Sequence, residues 1–251
     1  MASIQVIPPM WRSSVAPQRM LVLVLGLVLL FAVMRVVGTL GPASVRWALP
    51  LGFVLMAAAP WLLLTKEGRR QIGLRSSSSL SHYGVGVLGG VAAACACFAV
   101  GSVLFGDGAD HWFISVAASY RATMDTSRLS MTALYLVFTL PALLFSPIGE
   151  EIFFRGVLQR ALEQRLSVNA STVLECAAFG LVHLCHHGLA LGAAGIVIRP
   201  LSGALWVVLM FLVAFMFAAL RKRSGSLFPA MASHAAFNAT MNVAIFAFLW
   251  K

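Results

Sequence analysis

The chain has 251 residues, of which 60 % are hydrophobic and only 10 % are charged. Soluble domains average about 25 % charged residues, so a water-soluble globule could not cover its surface with this composition. The same figures exclude a disordered tail, a coiled coil and a secreted disulfide scaffold. The composition is that of a membrane protein.

The formal net charge of +10 arises from 18 Lys and Arg against 8 Asp and Glu. The basic residues stand mostly in short segments between apolar stretches, where they set topology and meet anionic lipid head groups. The chain has no sustained basic stripe, so we expect no nucleic-acid partner. The cysteines lie in apolar segments without CxxC spacing, which predicts free thiols that act as small apolar side chains. They are Cys95, Cys97, Cys176 and Cys185.

A bilayer core requires about 20 apolar residues per helix. We therefore predict an all-α polytopic membrane protein with about seven (six to eight) transmembrane helices in one bundle. The predicted spans are residues 20–40, 47–64, 84–105, 131–149, 170–191, 202–220 and 228–250. Arg12 and Arg19 ahead of Met20–Met34 are typical of a signal peptide, but the apolar stretch resumes after Arg35. We therefore predict an uncleaved first helix.

The distribution of positive charge predicts the orientation. With the N-terminus in the cytoplasm, the cytoplasmic segments hold most Lys and Arg, including four over residues 66–75 and three over 221–223. The opposite side has fewer basic residues and also carries three aspartates. We therefore predict a multi-pass protein of the plasma (inner) membrane with a cytoplasmic N-terminus. Ser76–Ser79 and Gly106–Ser130 are predicted loops.

The fourth span is interrupted by Pro141 and Pro147, and its helical character continues to Leu166. Proline leaves backbone carbonyls that neighbours or water must satisfy, so we expect a kink beside a hydrated cavity. In one interpretation the membrane helix begins near Pro141, and residues 131–140 form a separate piece.

Charged side chains inside a membrane are costly and usually face a bundle interior or a water-filled cavity. Near the end of the fourth span, Glu151 and Arg155 are four residues apart, so one helical face can hold them as an ion pair. Glu150 points about 100° away from Glu151. A solvated helix end is the alternative interpretation of this group.

Two later spans carry further polar groups. His183 and His187 share one helical stripe with Glu175 and Phe179, and His186 stands between them. The seventh span places His234 and Asn238 on one face. Each group alone could be structural, because His and Asn also form hydrogen bonds between membrane helices. Their occurrence on three separate spans predicts one converging site.

The chain contains three motifs in a fixed order: Glu-Glu-x-x-x-Arg (150–155), Phe-x-x-x-His (179–183) and His-x-x-x-Asn (234–238). Over about residues 131–248 the chain resembles the CPBP family. This family comprises the CAAX-processing and bacteriocin-processing intramembrane endopeptidases, also called the Abi or type II CAAX protease family. The first hundred residues match it only as generic membrane helices.

The resemblance implies an intramembrane endopeptidase that uses a glutamate-activated water and a His/Asn oxyanion hole. The implied catalytic set is Glu150, His183, His234 and Asn238, with Glu151 and Arg155 in support. Glu150 would be the general base, because a partly desolvated carboxylate is a stronger base than one in water. His183 would hold the same water, while His234 and Asn238 would donate hydrogen bonds to the oxyanion. His186, His187 and Glu175 receive no role.

The chain divides into three predicted regions, of which only the last rests on the resemblance. Residues 1–19 are a predicted cytoplasmic N-terminal tail, 20–130 are N-terminal transmembrane helices and loops, and 131–248 are a CPBP-like catalytic core. The expected partners are the lipid bilayer and a protein or peptide substrate that enters from the membrane or the cytoplasmic side. Prenylated CAAX proteins, leader peptides and C-terminal anchors remain equal substrate candidates.

Three alternatives remain open. A zinc-dependent version of the protease would use Glu150, His183 and His234 as ligands. It would need a separate general base, and HExxH is absent, so we predict no cofactor, with zinc as the alternative. A proton-coupled membrane transporter with a Glu/His relay is the second, although the chain has no evident inverted repeat. A non-catalytic membrane scaffold is the third.

Overall fold

The computed structural model describes residues 17–192 and 195–250. Most of the predicted N-terminal tail therefore lies outside the described residues. The helices are α1 (Pro17–Leu40), α2 (Ala48–Leu63), α3 (Lys66–Gln71), α4 (Ser81–Phe105), α5 (Trp112–Arg121), α6 (Met131–Glu150), α7 (Gln159–Leu162), α8 (Val168–Val182), α9 (Pro200–Ser224) and α10 (Phe228–Ala244). A two-stranded antiparallel sheet, β1 (Leu189–Gly192) and β2 (Gly195–Ile198), joins α8 to α9.

Seven helical segments within the described residues are long and apolar enough to cross a membrane. They are Arg19–Leu40, Ala43–Leu63, Ser81–Phe105, Met131–Leu162, Val168–Cys185, Pro200–Ser224 and Phe228–Leu249. The prediction of an all-α polytopic membrane protein with about seven spans is confirmed. The four cysteines are all free, and three of them are buried.

The structure corrects three predicted boundaries. Residues 131–140 are not a separate piece, because α6 is one continuous helix from Met131 that includes both prolines. The predicted loop Gly106–Ser130 contains α5. The predicted fifth span to residue 191 is too long, because α8 ends at Val182 in a 3-10 turn over His183–Cys185. The predicted row of side chains at a spacing of four therefore ends at His183, and His187 is not part of this helix.

The helix changes its winding directly after Glu150. Pro147 has no backbone N–H to donate, which weakens the α-helical pattern in this turn. Residues Glu151–Leu158 are π-helical, and all eight residues are buried. A π-helical insertion re-aims the side chains that follow it, and such insertions are frequent at functional sites. Here it turns Glu151 and Arg155 into the bundle.

Helices α4 and α10 approach each other by their backbones. A methyl group at Gly90 would overlap the carbonyl oxygen of Ser233, and one at Gly86 would lie 2.6 Å from the carbonyl oxygen of Pro229. Glycine permits this distance because it has no side chain, as is common between membrane helices. The contact fixes the position of α10, which carries His234 and Asn238.

Helix α5 lies across one end of the bundle. Trp112 is fully buried and stacks on Trp206 of α9, with ring centroids 5.7 Å apart. The Tyr120 hydroxyl donates a hydrogen bond to Asn242 Oδ1 of α10 over 2.9 Å. Burial raises the pKa of Tyr120 to about 12, so the phenol keeps its proton at neutral pH. Helix α5 is thus a fixed part of the core.

A second set of polar contacts fastens the start of α9 to α5. Ser202 donates to Asp110 Oδ1 over 3.1 Å, so His187 Nε2, at 2.9 Å, must donate to Ser202 Oγ. His187 Nδ1 then accepts from the Ser115 hydroxyl over 2.7 Å. Burial lowers the pKa of His187 to about 4, which agrees with a neutral ring. His187 therefore has a structural role in this arrangement.

The α4–α10 contact leads to a prediction about stability. Gly90→Ala should destabilise the protein by about 1–3 kcal/mol, because the added methyl group forces two backbones apart. Thermal unfolding of the purified protein in detergent measures the effect. Gly84→Ala is the matched control, since a methyl group there meets nothing within 4 Å. Equal midpoints for the two variants would contradict the close backbone contact.

Candidate active site

Three carboxylates are completely buried in the middle of the bundle: Glu150, Glu151 and Glu175. An isolated carboxylate in an apolar interior is strongly unfavourable, so each requires a charged or hydrogen-bonding partner. The carboxylates and their partners come from five different segments of the chain. The carboxylates and their partners form one continuous polar network.

Glu150 stands at the end of α6 between three polar side chains. Arg35 of α1 forms an ion pair with Glu150 Oε1. Glu150 Oε2 accepts a hydrogen bond from the Ser146 hydroxyl over 3.0 Å and lies 3.7 Å from His234 Nε2 of α10. The predicted general base is therefore neutralised by one arginine and adjoins the predicted oxyanion donor.

Glu151 connects His234 to Arg155. Its Oε1 lies 2.9 Å from His234 Nδ1, and its Oε2 lies 3.2 Å from Arg155 Nε. The predicted ion pair between Glu151 and Arg155 is thus present. Arg155 also lies 3.4 Å from Glu175 Oε1 of α8. One fully buried guanidinium therefore contacts two carboxylates.

Aromatic rings enclose Arg155 and His234. The Arg155 guanidinium lies 4.0 Å from the centre of the Phe179 ring, a distance at which the cation is attracted to the ring face. His234 stacks on Phe217 of α9, with ring centroids 5.0 Å apart. These rings exclude water from one side of the network and restrict the rotamers of both polar side chains.

His183 occupies the end of α8, where the helix tightens into its 3-10 turn. Its Nδ1 lies 2.7 Å from the Phe179 carbonyl oxygen, which can only accept, so Nδ1 carries the proton. The other ring nitrogen, Nε2, is then an acceptor. Its neighbour His186 lies 3.2 Å from Arg35 through Nε2 and accepts from the guanidinium.

Asn238 lies one turn beyond His234 on α10 and is 8 % exposed. Its Nδ2 donates to the carbonyl oxygen of Ala142 on α6 over 2.9 Å. An amide nitrogen has two hydrogens, so one donor remains for another acceptor. The contact fixes the orientation of the amide relative to the helix that carries Glu150.

These side chains border a cavity of about 430 Å³. Its inner end is lined by Arg35, Ser146, His183, His186, His234 and Asn238, and its other walls are mainly apolar and aromatic. Glu150 lies behind Ser146 and is completely buried. Three members of the predicted catalytic set therefore line one cavity, and the fourth stands directly behind its wall.

Glu150, His183 and His234, the ligands of the alternative zinc mechanism, do not form a metal-binding group in the part of the chain that the structure describes. Among the residues that the structure describes, no three His, Cys, Asp or Glu side chains are placed to hold a metal ion. His183 joins neither Glu150 nor His234 in a ligand set, and the Arg35 cation already occupies one oxygen of Glu150. A cation beside a positive guanidinium is electrostatically disfavoured.

Arg35, Ser146 and Glu175 belong to the site but were not among its predicted residues. Arg35 is the one charged residue within the apolar stretch 20–40, which marks it as a buried functional group. Ser146 stands four residues before Glu150 and therefore shares its helical face. The sequence places Glu175 on the same helical face as His183, but it does not show that Glu175 pairs with Arg155.

Comparison with known families bears on the same part of the chain. Residues 132–240 match the family model described as type II CAAX prenyl endopeptidase Rce1-like. The predicted resemblance to the type II CAAX proteases is confirmed over this segment, which contains all three motifs. The match indicates a peptidase. No curated protein and no solved structure matches the chain.

The position of Arg155 leads to a prediction about folding. Arg155→Met should destabilise the protein by about 3–5 kcal/mol, because two buried carboxylates lose their counter-ion. The yield of monodisperse protein and its thermal midpoint measure the loss. Arg70→Met is the matched control, since the Arg70 side chain is exposed and substitutions of exposed side chains change stability little.

A double variant separates charge from packing. Adding Glu175→Gln to Arg155→Met removes one of the two stranded charges and should recover part of the stability. No recovery would mean that the guanidinium acts through its ring contacts alone.

Proposed function

We propose that the chain hydrolyses a peptide bond near the membrane end of a protein or peptide substrate, because residues 132–240 match the model of the Rce1-like type II CAAX prenyl endopeptidases. We propose that Glu150 activates the water. The supporting observation is the 3.7 Å separation between Glu150 Oε2 and His234 Nε2 beside the 430 Å³ cavity. A base and a hydrogen-bond donor for the oxyanion thus stand together on different helices.

The proposed reaction begins with a water in the cavity. Glu150 takes one proton from this water while the oxygen attacks the carbonyl carbon of the scissile bond. The carbonyl oxygen becomes an oxyanion, which accepts hydrogen bonds from His234 and Asn238. When the carbon–nitrogen bond breaks, protonated Glu150 returns its proton to the leaving amine. His183, with Nε2 as an acceptor, holds the water during the attack.

The hydrogen-bond pattern supports a doubly protonated His234 in this role. Its Nδ1 faces Glu151, which accepts, and the Ser146 hydroxyl already donates to Glu150. His234 Nε2, 3.3 Å from Ser146 Oγ, must then donate to that oxygen. Glu151 would therefore act on catalysis through His234.

Arg35 gives this mechanism a resting state. Its ion pair with Glu150 makes the carboxylate a weaker proton acceptor, because protonation would leave the guanidinium unpaired. Glu150 becomes an effective base when Arg35 moves away from it. Arg35 also lines the cavity, so a substrate that fills the cavity can contact it and cause this movement.

Substitution of the two adjacent glutamates tests the assignment of the base. Glu150→Gln should abolish hydrolysis, because an amide cannot accept the proton of water. Glu151→Gln should retain more activity, since it weakens only the charge on His234. The measurement is cleavage of a quenched fluorescent peptide with a farnesylated cysteine, in detergent, at equal amounts of monodisperse protein. Equal losses for both variants would contradict the division into base and support.

Removal of metal tests the alternative mechanism. We expect activity to survive prolonged dialysis against a strong chelator, and Asn238→Ala to lower kcat about 10²–10³-fold, as for other oxyanion donors. Asn238→Asp should be about as damaging, because it puts a negative charge where the oxyanion develops. Loss of activity with chelator and recovery with zinc would make His183 and His234 ligands and contradict the proposed role of Asn238.

A further inference from the structure

The hairpin between α8 and α9 consists only of apolar residues and glycine. Residues 188–198 contain no charged and no polar side chain, although they connect two membrane spans. All four residues of β2 are exposed, with Ile196 and Ile198 at 69 % and 66 %. Adjoining apolar side chains that are exposed in this way commonly mark an interaction surface. The composition therefore indicates that β2 contacts an apolar partner.

The base of the hairpin is fixed to α9. Arg199 N donates to Gly188 O over 2.9 Å, and a methyl group at Gly203 would lie only 2.8 Å from Gly188 Cα. Gly188 has a φ of 106°, which glycine adopts readily. The Arg199 side chain is held by Asp110, with Nε 3.5 Å from Oδ1. The hairpin therefore has a defined position relative to the helix that follows it.

The outer edge of β2 carries unpaired backbone groups. The two strands are antiparallel and pair in one continuous register. The Gly188–Arg199 pair just outside the strands has the same register and is hydrogen-bonded. Hydrogen-bonded and non-hydrogen-bonded pairs alternate, so Val197 points its N–H and C=O towards β1, whereas Ile196 and Ile198 point theirs away. No strand in the described part of the chain pairs with this outer side.

This edge lacks the usual protections against pairing. Exposed edge strands commonly carry a lysine, a proline or a bulge. β2 has the sequence Gly-Ile-Val-Ile, without a charge, a proline or an interruption of its register. Its outer edge is thus a template on which another extended chain can add as a strand.

The hairpin is joined at both ends to segments that line the cavity. His186 lines it just before Gly188, and Trp206 lines it in the second turn of α9. A peptide bond that is to be hydrolysed must leave the helical conformation, in which each carbonyl is already hydrogen-bonded. The N–H and C=O groups released in this way are costly in a membrane unless they find partners. The outer edge of β2 has such partners to offer.

We propose that β2 binds an extended segment of the substrate as a third strand, beside the cavity in which the peptide bond is cleaved. The N–H and C=O groups of Ile196 and Ile198 pair with the backbone of the substrate, and the apolar side chains of β2 contact its apolar side chains. Pairing through the main chain depends little on sequence, so substrates with different side chains fit this edge. The inference rests on the proposed peptidase function and gives the substrate a binding site outside the three motifs.

Binding of a peptide tests the pairing without requiring hydrolysis. The protein is the full chain with Glu150→Gln in detergent. The probe is a fluorescent peptide that extends about twelve residues, or about 40 Å, ahead of a farnesylated cysteine. Ile196→Pro removes an outward N–H, and edge strands tolerate proline at such positions. Ile196→Ala is the matched control, because it shortens the side chain and keeps the N–H.

We expect Ile196→Pro to raise the Kd about 2- to 12-fold, the range for the loss of one hydrogen bond, and Ile196→Ala to change it less. Equal losses for the two variants would overturn the proposal, because the side chain and not the backbone would then make the contact. Unchanged binding in both would overturn it as well. Conversion of a dimeric parent protein to a monomer by Ile196→Pro would assign the edge to a second copy of the chain, against the proposal.

N-methylation of single amides in the peptide tests the same pairing from the substrate side. The parent protein is used, so the result holds even if Ile196→Pro fails to fold. Binding should weaken at alternate residues of one stretch, since only every second residue of an added strand faces β2. These losses should be smaller in Ile196→Pro, because both changes weaken one ladder. Losses without this alternation would contradict strand addition. Cleavage by the chain with Glu150 intact judges the peptidase function separately.

Discussion

The neutralisation of buried charge is the constraint on which this structure depends. Three carboxylates and two guanidinium groups lie where a membrane would exclude bulk water, and none could be accommodated there alone. They are arranged so that every carboxylate contacts a guanidinium or an imidazole, in a series from Arg35 through Glu150, His234, Glu151 and Arg155 to Glu175. Because the members come from α1, α6, the following π-helix, α8 and α10, the network also determines how these helices meet.

The same network of buried charges stabilises the fold and positions the proposed base, Glu150. At one end, Arg155 is fixed by two carboxylates and the Phe179 ring, so this part has little freedom. At the other end, Arg35 lines the cavity and also contacts His186. Glu150 lies between the part of the network that Arg155 fixes and Arg35, which a ligand in the cavity can contact. Its basicity is thus governed by a partner outside the three motifs.

Much of this architecture was predictable from sequence, because apolar length and helical spacing are local properties. The spans follow from stretches such as 20–40, and the Glu151–Arg155 pair follows from a spacing of four. The π-helix after Glu150 was not predictable, because it arises from packing around Pro147. The partners Arg35 and Glu175 were not predictable either, since pairing between distant helices depends on tertiary arrangement. Composition marked them as costly residues without showing what balances them.

The glycine contact between α4 and α10 has a consequence for redesign of specificity. At Gly86 and Gly90 the two backbones touch, so almost any substitution there displaces the helix that carries His234 and Asn238. The walls from α2, α5 and α6 meet the cavity through side chains such as Phe53, Val116 and Phe145, which can be exchanged without moving a backbone. A library that varies the second group and keeps the first would sample new binding pockets around an unchanged reaction centre.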